Sequence, residues 1–386
     1  MTSASHNPHD RTPSGSPLRR PRVLHVVPLP PPLGGMSTYA QGLLASDLGK
    51  AFNLRAVRAQ RVRKDLYRGM IRKGMNLLNG FLLSLVVLKN LVFRWPSIIH
   101  VQTNSGRGFY EKSFLIVLAR LFGCKAVLHV HGGAFREFYQ NSSRPIRWLI
   151  RRCACLNHRI IVASQHMQET LTLVGVRPER IVRIGNAIVV PPRSRWEAPA
   201  ARNTKGVSVL FLNRLTREKG VLELLQAVKQ LASATPAVSL RLAGAESEDC
   251  ASIRQSIEDM GLADRVAWLG QVSEQQKDEE YRRADIYVLA SHTEDMPYGL
   301  LEAMSYGLPC VASAVGGIPS IIQDGIGGLL VPPKDAASLA GAIAQLASQE
   351  ELRRRIGLQA RARVLQEFSW PHHAKQIGEV YNDLLA

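Results

Sequence analysis

From Arg22 onward, short runs of Val, Ile and Leu recur along the chain, each followed by a longer amphipathic stretch. The runs in the first half are Arg22–Leu29, Leu54–Ala59, Ser97–Thr103, Lys125–His131, Arg159–Ser164 and Ile181–Ile184. In the second half they are Val207–Leu212, Leu240–Ala243, Val266–Leu269, Ile286–Ala290 and Cys310–Ala312. Most lack polar alternation, the mark of strands covered on both faces. Strand, helix, strand in regular succession requires parallel sheets with right-handed crossovers. So many units exceed what one twisted sheet holds. The expected class is therefore α/β, with two doubly wound, Rossmann-like parallel-sheet domains facing across a cleft.

The 386 residues suit two domains, and 46% apolar with 21% charged residues excludes a mainly disordered chain. Ser, Pro and His crowd residues 1–20 without an apolar run, so a disordered leader is expected there. A first domain then spans 21–195, a linker 196–205 and a second domain 206–369. Residues 370–386 form a last helix that crosses back toward the first domain. Pro191–Lys205 carries three prolines and little apolar pattern, which places the seam. The five cysteines fit no disulfide framework, and Cys153-x-Cys155 lacks the second pair of a zinc site.

Charge divides the two halves. Residues 1–196 carry 30 basic and 7 acidic side chains, whereas 197–386 carry 19 and 24. A cationic first half points to an anionic partner. Two stretches concentrate it. One holds Arg61, Arg63, Lys64 and Arg68 ahead of the apolar run Asn76–Phe93; the other sets Arg147, Trp148, Arg151 and Arg152 at helical spacing. Asn79, Ser84, Lys89 and Asn90 interrupt the apolar run, so a helix packed on the sheet is expected rather than a membrane span, with shallow insertion into one leaflet as the alternative.

The densest chemistry lies in His292–Pro309, where a buried strand ends in a polar loop holding Glu294 and a helix near Gly299 carries Glu302 in its first turn. Ligands of open α/β sheets bind at such strand ends, and carboxylates there accept hydrogen bonds from sugar hydroxyls. Arg214 and Lys219 follow the strand Val207–Leu212, where two cations suit a pyrophosphate. Gly34-Gly35 opens the first helix, allowing backbone to approach a phosphate. His129 and His131 share one side of a strand, a pattern compatible with a metal; no third ligand is placed by sequence, so no metal is expected.

Together these motifs resemble the retaining nucleotide-sugar glycosyltransferases of family 4, which have the GT-B fold. The resemblance rests on Glu294 and Glu302 eight apart, Ala303-Met304, Gly307-Leu-Pro309, Gly316-Gly317-Ile-Pro319, Arg214-Leu with Lys219-Gly220, Gly34-Gly35, His131-Gly132 and Phe368-Ser-Trp370. It runs from about Arg22 to Leu385. It implies a retaining, metal-independent hexosyltransferase with a nucleotide-diphospho-sugar donor of the GDP-mannose or UDP-glucose type. By the same resemblance Glu302 meets the ribose, Arg214 and Lys219 the diphosphate, and Glu294 and His131 the donor sugar. Gly35, Val272 and Leu301 complete the donor contacts. No Asp-x-Asp motif is present, and no cofactor is implied. Pro297, Asp295 and Ser320 depart from the family pattern and bear on donor-sugar identity.

The expected acceptor is a glycan, linked to a polyprenyl diphosphate, in exopolysaccharide synthesis. The expected location is the cytoplasmic face of the plasma membrane, with Arg61–Arg68 and Arg147–Arg152 toward an anionic surface. Nucleic acid is not expected as a partner. Competing readings are a non-enzymatic nucleotide- or nucleic-acid-binding protein and a same-fold sugar-nucleotide epimerase.

Overall fold

A computed structural model describes residues 20–29, 35–59, 69–192, 206–232 and 237–386. Residues 1–19 of the expected leader, the whole of the linker 196–205 and the basic side chains Arg61, Arg63, Lys64 and Arg68 lie outside the described residues.

The first sheet holds six parallel strands: β1 (Arg22–Val27), β2 (Asn53–Arg58), β3 (Ile98–Thr103), β4 (Lys125–Val130), β5 (Arg159–Val162) and β6 (Ile181–Arg183), in the order β2-β1-β3-β4-β5-β6. The second holds β7 (Val207–Leu212), β8 (Val238–Ala243), β9 (Val266–Gly270), β10 (Ile286–Leu289), β11 (Cys310–Ser313) and β12 (Leu329–Val331), in the order β12-β11-β10-β7-β8-β9. This is the GT-B arrangement, two doubly wound sheets. Strand order reverses beside β1 in one sheet and beside β7 in the other, and both switch points open a crevice at the strands' C-terminal ends. Several expected strands end sooner than the sequence suggests. Of two residues read as strand ends, His131 begins the loop after β4 and Ser164 caps the helix that follows β5. The short β12 went unrecognised.

The helix Trp370–Leu385 leaves the second domain and packs on the first. Ala374, Ile377, Val380, Tyr381 and Leu384 join a buried cluster with Val23, Tyr39, Leu43, Phe52 and Ile98. Beneath it, inward positions of β1, β3 and β4 carry His25, His100 and His129. His25 and His100 are direct register partners across parallel strands.

The apolar run forms the helix Gly69–Arg94, longer than expected and differently placed. It buries only a stripe, Val87, Asn90 and Leu91, while Leu77 is 77% and Phe81 62% exposed. Packing on the domain is real but confined to that stripe, so this is no core helix.

Candidate active site

Lys219 closes a 3-10 turn, Arg217–Lys219, whose cap Thr216 accepts the Lys219 amide. Gly220 follows at φ 75°, and a Cβ there would stand 1.9 Å from the Ala290 carbonyl oxygen. Only glycine lets this turn lie against the end of β10. The close approach aims the Lys219 ammonium at the loop after β10, where its Nζ meets Glu294 Oε1 at 2.6 Å. Ser291 Oγ donates to the same carboxylate oxygen at 2.9 Å. The loop is also pinned behind: the His292 amide donates to the Glu218 carbonyl, and its Nε2 lies 2.9 Å from Glu223 Oε1.

The backbone of Glu294 rests on Gly316, where a Cβ would come within 1.7 Å of its carbonyl oxygen. Gly317 is pressed as closely against Asp295. The Gly-Gly of the Gly-Gly-x-Pro run is thus a floor for the glutamate loop. Asp295 turns the other way: its buried carboxylate accepts Ser164 Oγ at 2.5 Å. Ser164 belongs to the first domain and caps the helix Gln165–Val174 by accepting the Met167 amide. Burial raises the Asp295 carboxyl, and the Ser164 hydrogen bond opposes that rise. Asn186 adds a second tie, donating Nδ2 to the Met296 carbonyl at 2.9 Å. Two neighbouring carboxylates therefore serve different ends, one facing Lys219 and the other joining the domains.

Pro297 precedes the helix Tyr298–Ser305, where its missing N–H costs no intrahelical bond. Glu302 is its fifth residue, in the second turn rather than the first. It is held by Lys277 Nζ at 3.0 Å and by the Tyr281 hydroxyl at 2.9 Å. Burial would lower the Lys277 pKa, but Glu302 and Glu274 outweigh it and raise it. Sequence reasoning missed Lys277 and Tyr281; their four-residue spacing on the helix Glu274–Arg283 was the available signal. Val272 lies in the loop leading into that helix. Leu301 is a correction. Its side chain is fully buried in the second domain's apolar cluster and so does not reach a ligand in the cleft, and its amide lies 3.4 Å from the Pro297 carbonyl. Arg214 is exposed, its amide turned onto Asn213 Oδ1.

Across the cleft, Gly35 begins its helix against the ring of Tyr298, at ordinary contact distance for a Cβ. His131 follows β4 with its ring stacked on His129 at 4.2 Å and 17°. Stacked parallel rings point their lone pairs in separate planes, so the pair does not converge on one ion. Burial, reinforced by His373, drops His131 to about 3, and its buried Nε2 has no partner. The imidazole is neutral at pH 7, suited to a hydrogen bond and not to delivering a proton. A separate polar cavity of about 630 Å³ lies between the domains, lined by Gln165, His166, Arg183, Met296 and Arg363 among others, and not by Lys219, Glu294 or Glu302.

On the basic helix Arg144–Cys155, Trp148 is 59% exposed with the Arg152 guanidinium 5.2 Å over its ring. Arg147 Nε donates to the Ser142 carbonyl, and Arg151 packs over Gly175. The structure places this group on the first domain's outer helical layer, away from the Lys219–Glu294 pair in sequence and in sheet.

Two family models match in succession, "Glycosyl transferase 4-like domain" over residues 7–187 and "Glycosyl transferases group 1" over 192–363. The chain belongs to the GT-B glycosyltransferase family of the family 4-like type. It is 32% identical to N-acetyl-alpha-D-glucosaminyl L-malate synthase of Bacillus anthracis over 177 residues, 46% of this chain and 45% of that protein. The chain spans about half the length of the curated relatives it matches. Among solved structures, sucrose-phosphate synthase of Thermosynechococcus elongatus superposes with a TM-score of 0.77 at 21% identity, covering 95% of this chain and 99% of that one. Anabaena HepE in complex with UDP-glucose gives 0.70 at 20% identity, covering 94% and 99%.

Proposed function

We propose that this chain is a retaining, metal-independent hexosyltransferase, moving a hexose from a nucleotide-diphospho-sugar to a lipid-linked glycan. The observation that carries the reading is the pairing at the switch point of the second sheet. Lys219 with Glu294, and Lys277 with Glu302, set two cations and two carboxylates along one strand edge, opposite Gly35 and His131. Lys219 and the exposed Arg214 neutralise the diphosphate, Glu302 takes the ribose hydroxyls, and Glu294 takes the sugar ring. His131, held neutral by burial, offers Nε2 to a sugar hydroxyl.

Chemistry in this reading needs no enzymic base. The acceptor oxygen attacks the anomeric carbon on the face the diphosphate leaves, and the departing phosphate oxygen takes the acceptor's proton. Fixed cations that stabilise the developing charge on the leaving group then carry most of the rate. The nucleotide-sugar class of donor is carried over from HepE with UDP-glucose; GDP-mannose and UDP-glucose are the two donors we favour. The acceptor is drawn as a polyprenyl-diphosphate-linked oligosaccharide in polysaccharide synthesis, met at the cytoplasmic face of the plasma membrane. Supporting that location are the 30 basic against 7 acidic residues of 1–196 and the exposed Arg152–Trp148 pair.

The test is thermal stabilisation by UDP, GDP, ADP and dTDP, followed by turnover with the favoured nucleotide's sugars and determination of the product's anomeric configuration. Ligand at a hundred times its Kd stabilises by about 2.7 kcal/mol. One nucleotide should stand out, and the product should keep the donor's configuration. An equal response to all four, or inversion, overturns the reading.

A further inference from the structure

Large exposed apolar side chains gather on the first domain's outer helices. The helix Gly69–Arg94 turns Val87, Asn90 and Leu91 inward, and its other faces leave Leu77 at 77%, Phe81 at 62% and Phe93 at 77% exposed. The neighbouring helix Arg107–Leu121 packs alongside and extends the face with Leu121, 79% exposed. Helix Arg144–Cys155 packs on that one in turn and adds Trp148. Trp95, directly after the first helix, is 68% exposed. Isolated surface apolar residues need no explanation, but large apolar side chains exposed on three helices that pack side by side mark a contact surface.

We propose that this face is an in-plane membrane anchor, with the helix Gly69–Arg94 lying along an anionic lipid leaflet and its outer side immersed. Charge selects the occupant. The helix carries Arg72, Lys73, Lys89 and Arg94 and no acidic residue; helix Arg144–Cys155 carries Arg144, Arg147, Arg151 and Arg152 and none. A second copy on this face would bring two cationic rims together, whereas an anionic leaflet neutralises them. Geometry selects the mode. Gly74–Arg94 is long and apolar enough to cross a bilayer, with a mean hydropathy of 1.6. Its C-terminal half, however, is fixed to the domain through Val87, Asn90 and Leu91, and the chain re-enters the sheet at Ile98. A helix held to a folded domain through its C-terminal half lies on the leaflet rather than through it. Trp95 and Trp148 then sit at headgroup depth, where amphipathic rings partition.

The inference deepens the membrane-bound reading above and rests on it for the lipid-linked acceptor, but it makes a separate demand. Adsorption by surface charge disappears in high salt, whereas buried apolar side chains hold on. The experiment is flotation of the full chain with vesicles of equimolar phosphatidylglycerol and phosphatidylcholine, at low and high salt. Tryptophan quenching by brominated lipids is measured in the same vesicles. Wild type should remain bound at high salt and be quenched. The double variant Leu77→Asp, Phe81→Asp should lose salt-resistant binding by on the order of a hundredfold, with its nucleotide-induced stabilisation unchanged. Release of wild type at high salt without quenching overturns the anchor and leaves electrostatic adsorption alone. A wild-type dimer in solution, abolished by the same variant, assigns the face to a second copy and also overturns it. Loss of nucleotide response in a wild type that still inserts would sink the transferase reading and leave the anchor standing.

Discussion

The buried histidines of the first domain set a sharp acid limit on its stability. His25, His100, His129, His131 and His373 are all at most 7% exposed. Burial pulls every one of their pKa values down: His25 and His373 to about 4, His131 to about 3, His100 and His129 well below the usual histidine range. Their hydrogen bonds suit the neutral form. His373 Nδ1 donates to the Gly185 carbonyl at 2.8 Å, so its Nε2 accepts from the Tyr39 hydroxyl, also at 2.8 Å. The Tyr39 oxygen then accepts from His129 Nδ1. Tyr381 bridges His100 and His25 in the same way.

Because the folded pKa values lie below the unfolded value of about 6.5, the unfolded chain binds more protons. Stability is therefore complete above pH 6.5 and is lost as pH falls toward the folded values. At pH 5, each histidine that stays neutral when folded costs about RT ln(1 + 10^1.5), or about 2 kcal/mol. Five cost about 10 kcal/mol, as much as a typical domain's whole stability. The first domain should accordingly unfold between about pH 5 and 6, taking up roughly four protons near pH 5.5. Urea midpoints followed by tryptophan fluorescence from pH 7.5 to 4.5 measure this; Trp370, whose ring lies 5.7 Å from Tyr39, reports the layer directly. His100→Gln should reduce the uptake by one proton. A wild type still folded at pH 4, or an uptake below two protons, refutes the argument.

Three further outcomes follow from the site. Lys219→Ala should lose about tenfold to 150-fold in kcat/KM, the range for a charged contact of about 1.5–3 kcal/mol, and Arg214→Ala should move the same way; unchanged kinetics in both would remove them from the diphosphate site. Turnover should persist after exhaustive chelation, and a loss restored by magnesium or manganese would reject the metal-free mechanism. Asp295→Ala should lower kcat about fivefold to thirtyfold with little change in donor KM, since it releases the Ser164 tie without touching Lys219. Ser164→Ala should match it, and a KM effect alone would assign Asp295 to the donor instead.

Most of the fold was legible because parallel strands buried on both faces are near-continuous apolar runs, as in Val207–Leu212 and Arg159–Val162. A three-residue strand such as Leu329–Val331 carries too little signal. Glu294, Lys219 and Glu302 stood out by motif, but their partners did not. Lys277 and Tyr281 sit in the charged segment Glu274–Arg283, which reads as solvated surface until the fold brings it to Glu302. Leu301 failed because the helix phase that presents Glu302 turns its neighbour into the core. The Gly69–Arg94 helix was legible in part: it packs on the domain through Val87, Asn90 and Leu91, but apolarity states that a segment avoids water, not which apolar phase receives the rest. The histidine layer needed the pairing of His25 with His100, and a helix from the chain's far end, before it existed at all.

That far-end helix has a consequence for how the protein is made. Tyr381 and Ile377 are as deeply buried as any residue of the first domain they cover, and His373 completes its hydrogen-bonded interior. On the ribosome, residues 22–183 emerge long before the segment that seals them. The first domain therefore waits through synthesis of the whole second domain with part of the face of β1, β3 and β4 uncovered. A nonsense or frameshift lesion after residue 369 would spare both sheets and the Lys219–Glu294 pair, yet strike the domain encoded first. Fusions that tether or cleave the C-terminus should be judged by the solubility of the opposite half.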